Sequence, residues 1–283
     1  MQNQLNIWGE HVPREIFSEA ELDYLQLFTH APLPSLEWIW QEMDRIWDEF
    51  GLDNRVPLEK QDVDAFYSHP VWILNAFYTG ADPVSVGHRK GIAQYIETLR
   101  PKRVADYGGG GAELARTLSS AVSDAIIEIV EPYPSALGKH RVDGLNKVMF
   151  VDSLNGKYDV IVAQDVLEHV EHPIATAETI AAALRPGGIV VFANCFKPVI
   201  KCHLPRTFHL QGSFRHIVAL GGLAYIGTVN GAKHAEVFRK TGNNGKFPLW
   251  VYVAEKLSYM TRPIAEVAAR ILRLVRKVVH LNR

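Results

Sequence analysis

A run of four glycines after a short apolar segment constrains this chain more than any other feature. Val104-Ala105-Asp106-Tyr107 precedes Gly108 to Gly111, and Glu131 ends the next apolar run, residues 125–131. Glycine lets the backbone turn tightly and approach a ligand closely, because it carries no Cβ. The pattern is typical of a parallel strand that leads into a helix, with a nucleotide-like ligand at the junction.

The spacing of the glycines separates two kinds of nucleotide site. A dinucleotide fingerprint requires Gly-x-Gly-x-x-Gly/Ala. Its third small position falls on Glu113 or on Leu114, depending on which glycine starts the count. The sequence therefore disfavours a nicotinamide dehydrogenase. The pattern that remains, Asp-x-Gly-x-Gly-x-Ala from Asp106 to Ala112, resembles the first motif of class I S-adenosylmethionine (SAM) methyltransferases.

Four further segments resemble the same family in its order and spacing. Residues 125–131 resemble its second strand, 148–152 its third, 158–170 its fourth strand with the following loop, and 184–192 the turn into its fifth. The resemblance implies an α/β fold with a seven-stranded, mostly parallel, doubly wound sheet. Residues 223–229 and 235–240 flank Asn230-Gly231, a strong hairpin signal that fits the antiparallel pair closing such a sheet.

The chain divides into three predicted zones. Residues 1–87 form an N-terminal helical layer, 88–248 the methyltransferase domain, and 249–283 a basic amphipathic C-terminal tail. The first zone holds most of the tryptophans, and Ser18 and Ser35 are candidate helix caps. The layer either packs on the catalytic domain or covers the methyl acceptor as a lid, and the two readings are compatible.

The resemblance implies SAM as the cofactor and S-adenosylhomocysteine (SAH) as its product. A carboxylate at Glu131 is placed to accept hydrogen bonds from ribose hydroxyls. Asp106 is expected to order the loop and face the amino-acid end, and Asp152 with Ser153 resembles the acid on the adenine side. The predicted cofactor site comprises Asp106, Tyr107, Gly108, Gly110, Glu131, Pro132, Asp152, Ser153, Gln164 and Asp165.

Three histidines are the predicted catalytic residues. His169 lies in Leu167-Glu168-His169-Val170, which resembles the family's loop after the fourth strand, and an imidazole titrates near neutrality. The alternative is that Glu168 and His169 brace this loop. His203 and His209 lie in residues 194–216, a region that commonly builds the acceptor pocket in this family.

The same region is rich in hydrogen-bonding and basic side chains. Lys197, Lys201 and Arg206 accompany the two histidines and favour a polar or anionic acceptor such as a decorated sugar. Cys195 and Cys202 lie nearby, but their spacing with the histidines is not that of a structural zinc site. We therefore predict no metal site.

The predicted function is SAM-dependent methylation of an oxygen on a sugar or glycan precursor. The alternatives are methylation of a soluble small metabolite at oxygen or nitrogen, and a SAM-fold binding protein without turnover. A net charge of −1 and the lack of a recognised motif argue against a nucleic-acid partner.

The C-terminal tail predicts a contact beyond the catalytic domain. After Pro263, apolar residues fall largely on one helical face and basic residues on the other. Such a helix lies on an anionic membrane surface, or docks on its own domain or on a second subunit as a homodimer. Without a secretory-signal pattern or a long apolar run, and with two cysteines, we expect a cytoplasmic protein, peripheral to the inner membrane surface.

Overall fold

The computed structural model of the chain describes residues 3–242 and 245–262. Its strands are β1 (Gln4–Ile7), β2 (Glu10–Pro13), β3 (Arg103–Tyr107), β4 (Ile126–Val130), β5 (Val148–Val151), β6 (Tyr158–Gln164), β7 (Leu184–Ala193), β8 (Leu223–Val229) and β9 (Ala232–Lys240). Seven of them form one sheet in the order β5-β4-β3-β6-β7-β9-β8, in which only β9 runs antiparallel to its neighbours. The predicted seven-stranded, mostly parallel sheet is confirmed.

Helices cover both faces of this sheet. The helices are α1 (Glu19–Gln26), α2 (Leu36–Glu49), α3 (Lys60–Tyr67), α4 (Val71–Ala81), α5 (Pro83–Leu99), α6 (Glu113–Ala121), α7 (Ala136–Val142), α8 (Pro173–Ala183) and α9 (Leu210–Leu220). Helices α5 and α6 share a core with one face, and α8 and α9 with the other. A parallel sheet buried on both faces requires continuous apolar strands, which explains runs such as Val160–Ala163 in β6.

The N-terminal helices form a third core of their own. Ser18 makes the predicted capping box, since the Glu21 N–H donates to Ser18 Oγ at 3.3 Å and the Ser18 N–H donates to Glu21 Oε2 at 2.7 Å. The core of this layer also takes in Leu137, Ile200 and Cys202, which belong to the segments at one end of the sheet. The layer therefore packs directly on that end.

The hairpin of β1 and β2 and helix α3 were not predicted from the sequence. The two strands are four residues each and are joined by Trp8 and Gly9, which have φ angles of 47° and 91°. Two residues with positive φ make the tight turn that suits a hairpin, but a tryptophan gives no signal for that conformation. The remaining sequence signal is the alternation of polar and apolar residues in Gln4–Ile7, which spans only four residues.

The order in which strands are added to the sheet reverses between β3 and β6, although these two strands are parallel. From β3 it runs outward through β4 and β5, and from β6 it runs the other way. Ligands of open α/β sheets bind at such a switch point, beyond the carboxyl ends of the strands. The glycine loop after β3 and residues 165–170 after β6 both lie there.

The last helical segment that the structure describes is residues 249–262. The predicted amphipathic helix from Pro263 onward lies outside the described residues. Among the described helices, none is both long and apolar enough to cross a bilayer.

Candidate active site

A cavity of about 1400 Å³ lies at the carboxyl edge of the sheet. Pockets that hold one small molecule measure roughly 300–1,000 Å³, so this space is large enough for two. The glycine loop and residues 131–136 line one end, and residues 164–170 and 194–200 line the other. Side chains of the N-terminal layer close the side between them.

The glycine loop has the backbone geometry that the motif predicts. Gly108 and Gly110 have φ angles of 73° and 49°, a region in which side chains are strained. A Cβ on Gly108 would lie 2.4 Å from Val166, whereas a Cβ on Gly110 would meet no protein atom within 4 Å. Gly110 therefore borders open space on the cavity wall.

Two carboxylates flank this open space. Glu131 accepts hydrogen bonds from the Gly110 N–H at 2.8 Å and the Tyr133 N–H at 3.0 Å, one on each oxygen. Asp106 is 2% exposed, and its Oδ2 has no hydrogen-bond partner among the described residues. Burial, and then the negative charge of Glu131, raises the pKa of Asp106 to about 7. A cationic ligand group would give Asp106 the partner it lacks.

A buried ion network fixes the loop against the N-terminal layer. Arg141 on α7 donates to the Gly111 carbonyl at 2.9 Å and pairs with Glu113 at the start of α6. The same guanidinium binds both oxygens of Glu10, at 2.9 and 2.5 Å. The glutamate that breaks the dinucleotide pattern is thus part of the framework around the loop.

The segment after β6 presents a second pair of acids. Asp165 has a φ of 52°, unusual for a residue with a side chain, and lines the cavity. Glu168 is fully buried, and its Oε1 accepts the Cys195 N–H at 2.6 Å. Its backbone carbonyl accepts the Leu204 N–H at 2.9 Å. Glu168 therefore holds residues 195 and 204, at the two ends of the segment that follows β7. Burial, and then the negative charge of Asp165, raises the pKa of the Glu168 carboxyl.

His169 and His203 meet on the cavity wall beside these acids. Their ring centroids are 4.8 Å apart in an edge-to-face arrangement, and both residues line the cavity. Burial, and then the proximity of His203, lowers the pKa of His169 to about 3. A general base works best when its pKa lies near the working pH, so this environment does not favour His169 as the base.

Aromatic side chains build the wall next to these histidines. Tyr67 stacks on Trp72 at 4.8 Å between centroids and on Tyr133 at 5.7 Å. The edges of Tyr67 and Trp72 face His169 at 6.3 and 6.1 Å. Tyr133 also donates to Asp64 of α3 at 2.6 Å, which joins this wall to the layer. In the sequence, only the high aromatic content of residues 1–87 indicates such a wall, and it does not show which rings take part.

The basic residues of the predicted acceptor region separate into two groups. Lys197 and His203 line the cavity. Lys201 instead forms an ion pair with Asp48 of α2 at 2.5 Å, and Arg206 pairs with Glu171. Two of the cations from which an anionic acceptor was predicted are thus neutralised by the protein itself.

Four of the predicted site residues lie outside the cavity lining of the described chain. Asp152 and Ser153 are exposed after β5, and Tyr107 at the end of β3 packs against the core shared with α8 and α9. His209 lies near the start of α9, with its Nδ1 3.1 Å from Ser258 Oγ and its ring against Tyr259. Nine of the others line it, namely Asp106, Gly108, Gly110, Glu131, Pro132, Gln164, Asp165, His169 and His203.

Comparison with known proteins connects this site to a family. The sequence model of a family described as "Methyltransferase domain" matches residues 87–261. The ubiquinone biosynthesis O-methyltransferase of Bordetella pertussis is 32% identical over 114 residues, which cover 36% of this chain and 46% of that protein. The corresponding protein of Bordetella avium is 30% identical over 112 residues, with the same coverage. The chain thus spans about half the length of these curated relatives.

Two solved structures share the fold at low sequence identity. An O-methyltransferase family protein from Burkholderia thailandensis superposes with a TM-score of 0.52 at 14% identity, covering 74% of this chain and 71% of that one. The structure of PigF with SAH gives a TM-score of 0.50 at 14% identity, covering 81% and 78% of the two chains. These likenesses extend into the N-terminal layer as well as the sheet.

Proposed function

This chain belongs to the methyltransferase-domain family, and we propose that it transfers a methyl group from SAM to an oxygen atom of a small molecule. One observation carries the proposal: the acid–glycine–acid set of Asp106, Gly110 and Glu131 opens into the same cavity as a separate group of polar and aromatic side chains. The first group suits a cofactor and the second an acceptor.

The residues around the glycine loop fit SAM. The unpartnered, buried Oδ2 of Asp106 suits the ammonium of its amino-acid portion, and open space beside Gly110 suits close passage of that portion. Each Glu131 oxygen accepts one backbone N–H, and a carboxylate has about four lone-pair sites, so one per oxygen is left for the ribose hydroxyls.

The protein's contribution to the chemistry is mainly positional. SAM supplies a methyl group on a positively charged sulfur, and displacement by an acceptor oxygen forms the O–CH₃ bond and leaves SAH as a neutral thioether. The proton of the acceptor hydroxyl passes to a base in the cavity or to water. Asp106 and Glu131 hold the donor, while Trp72 and the histidine pair border the space for the acceptor.

For the acceptor we propose a hydroxyl carried on a ring. The stacked rings of Tyr67, Trp72 and Tyr133 offer flat apolar surfaces. Lys197 adds a hydrogen-bond donor on the cavity wall, and the free ring nitrogen of His203 adds an acceptor. A sugar or glycan precursor, as predicted from the sequence, stays within this class. A phenol fits the same wall, and the pairing of Lys201 and Arg206 with acids removes part of the case for an anionic sugar.

SAH titration and a turnover assay test the proposal in order. We expect SAH to bind one site per chain, and the protein to convert SAM to SAH faster when phenols or ring sugars with free hydroxyls are supplied. Trp72→Ala should raise KM for the acceptor and leave the affinity for SAH unchanged. Absence of SAH binding would reject the function, and turnover confined to amine acceptors would reject transfer to oxygen.

We further propose that the C-terminal segment contacts an anionic membrane surface. In the helical residues 249–262, Leu249, Trp250, Val253, Leu257 and Met260 are each at least half exposed. Their spacing places them along one side of the helix. The basic residues beyond Pro263 lie outside the described part of the chain, and they follow this segment directly in the sequence.

Vesicle sedimentation distinguishes membrane contact from dimerisation. Full-length protein should bind vesicles with anionic lipid, and both Trp250→Glu and high salt should weaken that binding. The matched control is His216→Glu, which adds the same negative charge at an exposed position of α9 instead of on the apolar side of residues 249–262. No binding to the anionic vesicles, together with a concentration-dependent dimer by sedimentation, would reject the membrane role in favour of self-association.

A further inference from the structure

Two histidines on the cavity wall and a buried glutamate behind them form a cluster with the composition of a metal site. Glu168, His169 and His203 place one donor atom each within 4.8 Å of the other two. Two imidazoles and one carboxylate are a set that binds divalent transition metals and leaves a coordination position open. We propose that these three residues bind a divalent transition-metal ion of the Zn²⁺ type at the acceptor end of the cavity.

Both imidazoles are oriented as metal ligands are. The Nδ1 of His169 lies 3.2 Å from the Cys202 carbonyl oxygen, and the Nδ1 of His203 lies 2.9 Å from the Lys197 carbonyl oxygen. Because a carbonyl oxygen only accepts, these contacts assign the proton to Nδ1 and a lone pair to Nε2 in each ring. Histidines that bind metals commonly donate their other N–H to a carbonyl in this way, which fixes the tautomer.

Glu168 provides an independent sign that a partner belongs here. The residue is fully buried, and its Oε2 has no hydrogen-bond partner within the described residues. A buried polar atom without a partner is unfavourable, and a bound cation would supply the missing partner. Asp165 lines the same wall and adds a second negative charge near the cluster. The charge balance therefore suits a divalent ion.

The geometry requires a modest closure of the cluster. Tetrahedral Zn²⁺ with bonds of about 2.0–2.2 Å sets its ligand atoms roughly 3.3–3.5 Å apart, closer than the separation of up to 4.8 Å. His169 ends the short turn Leu167–His169, and His203 lies in the segment before the turn Pro205–Thr207. A small shift of these two segments can bring the donors together while each Nδ1 keeps its carbonyl contact. Because His169 and His203 both line the cavity, the open coordination position of a bound ion would face the space proposed for the acceptor.

The consequence for catalysis rests on the proposed function. A hydroxyl bound to a divalent metal loses its proton more easily than a free one. The ion would thus hold the acceptor oxygen and favour its ionised form, with the proton leaving to water. The proposed cluster differs from the cysteine–histidine set in the sequence, Cys195 and Cys202 with His203 and His209, and shares only His203 with it.

Calorimetric titration of the full-length protein with Zn²⁺, after treatment with a chelator, tests the site. We expect one ion per chain, and at least tenfold weaker binding in Glu168→Gln and in His203→Asn. His209→Asn is the matched control, because His209 is also buried but lies outside the cavity lining. Substitution with Co²⁺ adds a readout, since tetrahedral nitrogen and oxygen ligation gives visible absorption that His203→Asn should abolish.

The outcomes separate the metal site from the methyltransferase function. Failure of the native protein to bind Zn²⁺, or equal affinity in His203→Asn, would overturn the site and leave bracing as the role of the cluster. Methyl transfer that continues at its full rate in metal-free protein would overturn the metal's catalytic role and leave the function standing. Zn²⁺ binding by a protein without SAH binding would keep the site and reject the function. Should Glu168→Gln not fold, His203→Asn and the Co²⁺ spectrum decide.

Discussion

Replacing Glu131 by alanine is expected to weaken SAH binding by about 100-fold or more. Glu131 follows β4 at the cavity wall, and its two oxygens each accept one backbone N–H, from Gly110 and Tyr133. A carboxylate offers about four lone-pair sites, so two are available to the ribose hydroxyls. The variant removes both the contacts to the ligand and the two bonds that hold the loop.

The magnitude follows from the two bonds to the ligand. Hydrogen bonds to a charged group contribute about 1.5–3 kcal/mol each, so two of them amount to roughly 3–6 kcal/mol before relaxation. Since about 1.4 kcal/mol corresponds to a factor of ten in Kd, the loss spans roughly 100-fold to 10⁴-fold. Water molecules can replace part of the lost hydrogen bonding to the ribose hydroxyls, so we expect a loss near the lower end of this range, about 100-fold.

Isothermal titration with SAH measures this loss without turnover. Glu128→Gln is the matched control, because Glu128 lies on β4, three residues before Glu131, and pairs with Arg103 at 2.9 and 3.0 Å, outside the cavity lining. It should lower the free energy of unfolding, since this buried pair is weakened, and leave Kd within about twofold, since the pair does not border the cavity. A well-folded Glu131→Ala protein whose Kd rises less than threefold would refute the ribose assignment.

Three further predictions concern the same end of the cavity. Gly110→Val should abolish SAH binding, whereas Gly187→Val, at an equally open position with a φ of 74°, should cost only stability, as thermal melts and titration will show. Because the pKa of Asp106 is raised to about 7, SAM affinity should rise between pH 6 and pH 8 as the carboxylate ionises, and Asp106→Asn should flatten that profile. The same raised pKa means that the free protein loses stability as pH rises from about 4 through 7, which urea titrations at several pH values can detect. Arg141→Met should destabilise the fold by up to about 3–5 kcal/mol, because the buried Glu113 then keeps only the more distant Arg89 and Arg116, and adding Glu113→Gln should recover part of that loss in urea unfolding.

The cofactor end could be predicted from the sequence because it is built locally. An apolar strand, a glycine turn and a helix start follow one another in the chain, and Glu131 stands at the end of the adjacent strand. Because β3 and β4 pair in parallel, the residues that follow them meet at the same edge of the sheet, and no contact remote in sequence is needed to place them. Asp152 and Ser153 follow β5, the outermost strand of the sheet, are exposed and do not line the cavity, so their assignment to the adenine side stays a prediction.

The acceptor end could be predicted only in outline because its contacts are remote in sequence. The Asn54 side chain donates to the Lys201 carbonyl at 2.6 Å across 147 residues, and no periodicity indicates such a pair. The sequence points to His203 only through its residue type. Its position beside His169 depends on the hydrogen bonds that Glu168 accepts from the backbone N–H groups of residues 195 and 204. His209 was selected by the same criterion and lies against Ser258 instead.

The polar contacts of the N-terminal layer favour a fixed wall over a lid that opens. Asp44 accepts the Lys201 N–H at 2.7 Å at the acceptor end, and Glu10 binds Arg141 at the cofactor end. Tyr133 ties the middle to α3. With the contact of Asn54, opening the layer would break at least four such interactions together, at about 1 kcal/mol or more for each. An opening cost of the order of 5 kcal/mol leaves the open form below about one molecule in a thousand. We infer that the acceptor enters by another face of the cavity, and that the layer selects it through the shape of its aromatic wall.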